Sequence, residues 1–232
     1  VPRVIAGIDG GLVLERIDGE TIPRRILRDE ALAAVRPKLA HQCGDILGRL
    51  HRIPLDAVPT LEHQLPLPTW RAMLDGLGQP HPAFELAFRW LRDNEPPSTA
   101  RSIVHGDFRN GNLIVGPEGV RAVLDWELAH VGDPMEDLGW LCVKAWRFGV
   151  NDRRVGGFGD EDDLFAAYAA AGGAPVDRSV VRWWEVLGTL KWGIMCIMQA
   201  ATHLSGATRS VELAAIGRRV CENEWDLLEL VT

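Results

Sequence analysis

The chain has 232 residues, a formal net charge of −7 and 47% hydrophobic residues. It is long enough to bury a full core and too apolar to stay disordered, and its 32 Asp and Glu against 25 Lys and Arg argue against a general nucleic-acid binder. The longest apolar stretch, around Val186 to Ala201, is interrupted by Gly188, Thr189, Lys191, Gly193 and Gln199, which excludes a membrane span. In chain order, residues 3–6 and 12–17 read as two strands around a glycine-rich turn, and Pro23 leads into helix. A helical pattern runs from Asp29 to about Ile53, with Leu39, Cys43, Ile46, Leu47 and Leu50 on one stripe, and Pro54 stops it. Residues 54–68 carry four prolines and read as an extended connection. Helices are predicted near residues 69–77 and 82–94, the second broken by Glu95, Pro96, Pro97 and Ser98. Residues 102–104, 113–115 and 120–124 read as short strands, with Gly116-Pro117-Glu118-Gly119 as the turn between the last two. The remainder is helical. One helix begins near Met135, and another spans about 161–171 and closes at Gly172-Gly173. Asp177 or Ser179 caps the next, which is apolar nearly all round and therefore central, and a last helix spans about 211–230.

Cys43, Cys142, Cys196 and Cys221 lie far apart without CxxC spacing, three of them in apolar helical stretches. They read as free thiols of a cytoplasmic protein, not as a zinc site or a disulfide framework.

Chemistry is concentrated in Ile103-Val104-His105-Gly106-Asp107-Phe108-Arg109-Asn110-Gly111-Asn112 and in Leu124-Asp125-Trp126-Glu127. Asn112 precedes one strand and Asp125 follows its partner, so the turn between them brings both to the same end of a hairpin. Asp107 lies on the loop that enters it. One amide oxygen and two carboxylates at one rim suit a hard cation such as Mg²⁺, which takes oxygen ligands and retains water or phosphate in its remaining positions. Neither thiolate nor imidazole is needed, which argues against zinc. A carboxylate beside the metal but not on it can orient a hydroxyl and accept its proton.

His105-Gly106-Asp107 followed by Asn112, with Asp125 thirteen residues further on, resembles the catalytic loop and metal-binding aspartate of the protein-kinase-like phosphotransferases. The glycine after His105, and Asp125-Trp126-Glu127, resemble the aminoglycoside phosphotransferase and choline kinase side of that superfamily. Trp90-Leu91 and the run Gly132-Asp133-Pro134 with Asp137-Leu138-Gly139 extend the likeness to the branch of small-molecule kinases that includes domains fused to acyl-CoA dehydrogenases.

The resemblance implies an α+β, mainly α fold. Residues 1–19 would be the last strands of a small lobe and its hinge, and residues 20–232 a helical large (C-terminal) lobe carrying the catalytic β-hairpin. It implies a Mg²⁺- and ATP-dependent transfer of phosphate to a small-molecule hydroxyl. Asp107 would orient and deprotonate the acceptor, and Asn112 and Asp125 would hold the metal on the nucleotide phosphates. Arg109 would face the transferring phosphate, and the backbone of Leu14, Glu15, Arg16 and Ile17 would meet adenine. His105 would brace the loop, and Asp137 would cap the following helix or tie the loop down.

Other readings stay open for single residues. Arg109 reads equally as a surface charge, and Glu127 as a second metal ligand or a hydrogen-bonding group. The run Asp160 to Asp163 reads as a cation-recruiting patch or as acids favoured at a helix N-terminus. Trp140, Trp146, Trp183, Trp184 and Trp192 read as core or as a pocket wall, and His41, His51 and His203 as ordinary residues at the edge of the core. The acceptor classes allowed are amino-alcohols, aminoglycosides, hydroxyacyl thioesters and sugars. Lys38, Lys144 and Lys191 are the only lysines and all follow the presumed hinge, and residue 1 is Val. The expectation is that about a hundred residues of the small lobe lie outside this chain. A nucleotide-binding scaffold without turnover and a Mg²⁺-dependent phosphohydrolase are the competing functions.

Overall fold

The computed structural model describes residues 1–97 and 100–232. Two strands, β1 (Val4–Ile8) and β2 (Gly11–Leu14), form an antiparallel hairpin in which every residue is exposed. The predicted second strand is shorter than residues 12–17, because only Glu15 beyond Leu14 still pairs, its N–H donating to the Arg3 carbonyl at 2.8 Å. The linker is then captured by the rest of the molecule. Glu20 bridges Val115 through two backbone hydrogen bonds of 2.8 and 2.9 Å, and its carboxylate accepts from the amides of Thr21 and Ile22 at the start of α1 (Pro23–Arg28).

The single helix expected from Asp29 to Ile53 is divided. Asp29 caps a turn of 3-10 helix through the Ala31 amide, and Pro37, which lacks an N–H, starts another, so α2 spans only Leu39–Leu50. Arg36 fills the break by donating to the carbonyls of Ile26 and Asp29 at the end of α1. The predicted stripe is correct where α2 forms: Leu39, Cys43, Leu47 and Leu50 are buried. The proline-rich connection gives way to helix earlier than expected, since Pro66 and Pro68 occupy the first turn of α3 (Pro66–Leu77), where no N–H is required. After α4 (Pro82–Asp93) the chain leaves helix at Asn94 and has no regular structure to Pro97; Ser98, the last residue of the predicted break, lies outside the described residues.

The centre contains β3 (Ser102–Val104), β4 (Leu113–Gly116), β5 (Gly119–Val123) and β6 (His130–Gly132). β4 and β5 form the predicted hairpin, with Leu113 opposite Val123. Gln42 of α2 clamps its turn, donating to the Glu118 carbonyl at 3.0 Å and accepting from the Val120 amide at 2.9 Å. β6 was not anticipated; its three residues pair antiparallel with β3, Ser102 opposite Gly132. Three residues are too few to display a period.

Helices α5 (Met135–Cys142), α6 (Glu161–Ala170), α7 (Arg178–Leu204), α8 (Val211–Gly217) and α9 (Val220–Val231) complete the lobe. Asp177 caps α7 through the Ser179 amide at 2.8 Å. As its composition required, α7 is central, packing against α3, α4, α5, α8 and α9. The last predicted helix is two, because Gly217 ends α8 where the chain lies against α7: a Cβ there would sit 2.5 Å from that of Ala200. Cys43, Cys142 and Cys196 are buried free thiols and Cys221 is exposed. Among the described residues no helix is long and apolar enough to cross a membrane.

Helices α2 and α6 approach closely because Gly44 and Gly48 face α6; a Cβ on Gly44 would lie 2.3 Å from the Leu164 carbonyl oxygen. Backbone cannot yield as a side-chain tip can. Gly44→Ala is therefore expected to destabilise the protein by about 1–3 kcal/mol despite its gain in helix propensity. Gly76→Ala, at an exposed position of α3 with open space around it, is expected to stabilise by up to about 1 kcal/mol. Thermal unfolding of the two variants should move in opposite directions.

Candidate active site

The loop between β3 and β4 is held from below by one buried carboxylate. Asp137, in the first turn of α5, accepts from the amide of His105 at 2.8 Å, from that of Gly106 at 3.0 Å and from His51 Nε2 at 3.1 Å. Burial works to raise its pKa; the His51 hydrogen bond and charge and the loop amides outweigh that and hold it below the usual carboxylate range. His51 is thus no ordinary residue at the core edge: its side chain is buried, and its Nδ1 shares a 2.9 Å hydrogen bond with the Tyr168 hydroxyl. His41 and His203 are peripheral, one beside Asp163 and the other accepting from the Ser210 amide.

Gly106 takes a left-handed conformation (φ 78°), and a Cβ on it would lie 2.5 Å from the Leu128 carbonyl oxygen, so the loop needs glycine here. His105 spans the site. Its Nε2 donates to the Leu124 carbonyl at 2.9 Å, its Nδ1 accepts from the Asp107 amide at 3.1 Å, and its ring lies 4.4 Å from that of Trp126. Below the loop, His130 bonds through both ring nitrogens, to the Leu128 carbonyl and to Glu136. Burial pulls its pKa down, but these acceptors prevail and raise it above the ordinary histidine value.

The Asp107 carboxylate is the meeting point of three side-chain donors. Arg109 Nε lies 3.0 and 3.2 Å from its two oxygens, Trp140 Nε1 donates to Oδ1 at 2.8 Å, and Asn112 Nδ2 donates to Oδ2 at 2.7 Å. Arg109 is not a free surface charge, since its guanidinium also stacks 4.6 Å over Trp146. Asn112 uses its amide nitrogen on Asp107, and its Oδ1 has no partner among the described residues. Its backbone carbonyl accepts from Leu124, which places it beside the strand that delivers Asp125. Asp125 is exposed, in left-handed backbone (φ 66°), and its carboxylate has no partner among the described residues. Asp107, Arg109, Asn112 and Asp125 therefore gather at the open base of one hairpin. The two partnerless oxygen donors suit a hard cation that completes its shell with phosphate and water. No group of three or more His, Cys, Asp or Glu close enough to hold a metal occurs among the described residues.

Leu14 ends the exposed hairpin and Glu15, Arg16 and Ile17 follow it; among the described residues none of the four is hydrogen-bonded to this cluster, and the Glu15 amide is engaged by Arg3. Of the acids from Asp160 to Asp163, the first three pair with Arg153, Arg154 and Arg178 and the last lies beside His41. Trp140 was legible only as core or wall. Its indole N–H on Asp107 is the contact that sequence reasoning missed, because an apolar helical position carries no mark of where its single polar atom points.

An open cleft of about 1060 Å³ lies beside the loop, lined by Pro23, Arg24, Lys144, Phe148, Arg219 and Trp225 among others. Pro23 also touches the loop, 3.4 Å from where a Cβ on Gly111 would sit. Two of the cleft's acids are already paired, Asp226 with Lys144 at 2.6 Å and Glu222 with Arg219 at 3.0 Å.

A family model described as a phosphotransferase enzyme family matches residues 1–184. Acyl-CoA dehydrogenase family member 11 of Pongo abelii is 29% identical over 194 residues, covering 74% of this chain and 24% of its own length. The chain spans only 8% to 24% of the curated relatives it matches first. Among solved structures, a Ralstonia eutropha JMP134 protein provisionally described as an aminoglycoside phosphotransferase superimposes with TM-score 0.72 at 21% identity, covering 95% of this chain and 73% of that one. A choline/ethanolamine kinase family protein of Mesorhizobium loti gives 0.70 at 19% identity, covering 99% and 72%. Spectinomycin phosphotransferase, solved with ADP and spectinomycin, gives 0.62 at 14% identity, covering 95% and 70%. The fold is thus that of the protein-kinase-like phosphotransferases, mainly helical with small sheets.

Proposed function

The chain belongs to the phosphotransferase enzyme family, and from that premise we propose that it is a small-molecule kinase, passing the γ-phosphate of ATP to an acceptor hydroxyl with Mg²⁺. The observation that carries the reading is the Asp107 carboxylate, fixed by Arg109, Trp140 and Asn112 beside two oxygen donors with no partner among the described residues. The solved neighbour that holds ADP with a small-molecule antibiotic supports a nucleotide and a small acceptor meeting on this fold.

On this reading Asp107 orients the acceptor hydroxyl and takes its proton. Carboxylates are weak bases, so placement contributes more than proton affinity. Arg109 exchanges part of its contact with Asp107 for the transferring phosphate, and its stacking on Trp146 keeps it over the site meanwhile. Asn112 Oδ1 and the Asp125 carboxylate would hold Mg²⁺, which would supply neutralisation of the nucleotide phosphate charge. The backbone of Leu14 to Ile17 receives adenine, and the acceptor enters from the cleft lined by Phe148 and Trp225. The three buried thiols suit a reducing compartment such as the cytoplasm.

The test is incubation of the full-length protein with ATP, Mg²⁺ and a panel of small-molecule alcohols, read by mass spectrometry. A phosphorylated alcohol and ADP, formed with Mg²⁺ and lost on chelation, is the expected result. Phosphate released from a phosphorylated compound without nucleotide would mark a hydrolase, and nucleotide binding without transfer to any acceptor would mark a scaffold.

A further inference from the structure

Lys191 is the only buried lysine among the described residues, 8% exposed in the middle of α7. Its ammonium forms no ion pair there. It donates instead to the Gly106 carbonyl at 2.9 Å, and it lies 4.5 Å from the centroid of the Trp140 ring and 5.8 Å from that of Trp70. Glu136, which lines the same narrow gap, is engaged by His130. A buried ammonium without a carboxylate is costly, and a methionine would fill the same path at less expense in desolvation. What the charge does touch is specific. Gly106 immediately precedes Asp107, and Trp140 donates its indole N–H to Asp107 Oδ1 at 2.8 Å.

The helix is shaped for this contact. Gly188, one turn before Lys191, faces the same ring: a Cβ there would lie 2.9 Å from both Trp140 and Val143. With glycine at 188 the indole lies against the helix, and Lys191 covers its face from the next turn. An ammonium over an aromatic ring is attracted by the ring's negative face, and it draws electron density from the ring, which strengthens the indole N–H as a donor.

We propose that Lys191 is a positioning residue of the phosphotransfer site, clamping the Trp140 ring and the Gly106 carbonyl so that the Asp107 carboxylate is held from two sides. The catalytic consequence rests on the function proposed above; the clamp itself does not. Loss of the charge leaves the loop attached through Asp137 but lets Trp140 and Gly106 move relative to each other. Displacements of that kind remove rate without removing nucleotide affinity.

The test uses the full-length protein labelled with ¹⁵N-tryptophan, the Trp140 Nε1–H resonance being assigned by its loss in Trp140→Phe. In Lys191→Met this resonance is expected to move by more than its linewidth, towards its position in Asp107→Asn. The thermal midpoint is expected to stay at or above that of the wild type. Hydrolysis of MgATP to water should slow about tenfold or more, with the nucleotide KM changed by less than about twofold. Lys191→Arg, which keeps the cation, should recover the resonance and most of the rate. A stationary resonance with a rate within about twofold of wild type overturns the proposal. A lowered midpoint that Lys191→Arg does not recover also overturns it, because it marks an ordinary core group. Should Lys191→Met fail to fold, Lys191→Gln carries the same two readouts. The resonance needs no turnover, so a shift in Lys191→Met found together with a wild type that phosphorylates no alcohol of the panel would refute the kinase reading and support the clamp.

Discussion

Asp107→Asn is expected to lower phosphoryl transfer by about 10²–10⁴-fold while nucleotide affinity stays within about twofold of wild type. The size follows from the donors that converge on this side chain. Arg109 Nε, Trp140 Nε1 and Asn112 Nδ2 all point hydrogens at its two oxygens. A carboxylate accepts all three; an amide has one oxygen, so its own NH₂ must oppose one of the donors. The variant loses the proton acceptor and the orientation at once. Nucleotide affinity is spared because the Asn112 Oδ1 and Asp125 oxygens are untouched. The experiment is single-turnover transfer to whichever acceptor the alcohol panel identifies, paired with nucleotide binding by calorimetry. Transfer by the variant at the wild-type rate would remove Asp107 from the chemistry.

The parts of this site that are close in sequence were legible from sequence. Asp107, Arg109 and Asn112 sit within six residues, and the turn at Gly116 to Gly119 returns Asp125 to Asn112 by strand geometry alone. What supports that cluster was not legible. Trp140 is 33 residues from Asp107, Lys191 is 85 from Gly106 and His51 is 86 from Asp137. Trp140 and Lys191 occupy helical positions among apolar neighbours, and His51 caps the end of α2 between arginines; periodicity reports which face is buried without reporting which buried atom is polar. Helix boundaries failed for a related reason. The stripe through Leu39 and Leu50 was real, but the break at Pro37 is made good by the Arg36 side chain reaching back to two carbonyls, a tertiary contact that no period displays. The run of acids from Asp160 to Asp163 shows the same limit. Its composition allowed a docking patch, and only the positions of Arg153, Arg154 and Arg178 reveal that three of its four acids already have cationic partners.

The second large effect is one of stability. Asp137→Asn is expected to cost about 3–5 kcal/mol, the penalty for breaking a buried charged partner. In a chain of this size that lowers the thermal midpoint by roughly 6–20 °C. Three donors converge here too, from His105, Gly106 and His51, and all of them are buried. An asparagine satisfies one side and confronts the other with a second donor. The loop that carries Asp107 then loses its floor, so transfer should fall with stability, unlike the case of Asp107→Asn. The pH dependence separates a charge effect from a packing defect. The Asp137 pKa is held below its unfolded value, so its contribution is present in full above the unfolded pKa and is lost as pH falls through the folded one. The gap in midpoint between wild type and Asp137→Asn should therefore be present above the ordinary carboxylate range and narrow below about pH 4. A gap that did not change down to the acid limit would mean that shape, and not the carboxylate's charge, secures the loop. A gap corresponding to less than about 1 kcal/mol at neutral pH would mean that the loop is held by the remaining contacts of His105 and Asn110 instead.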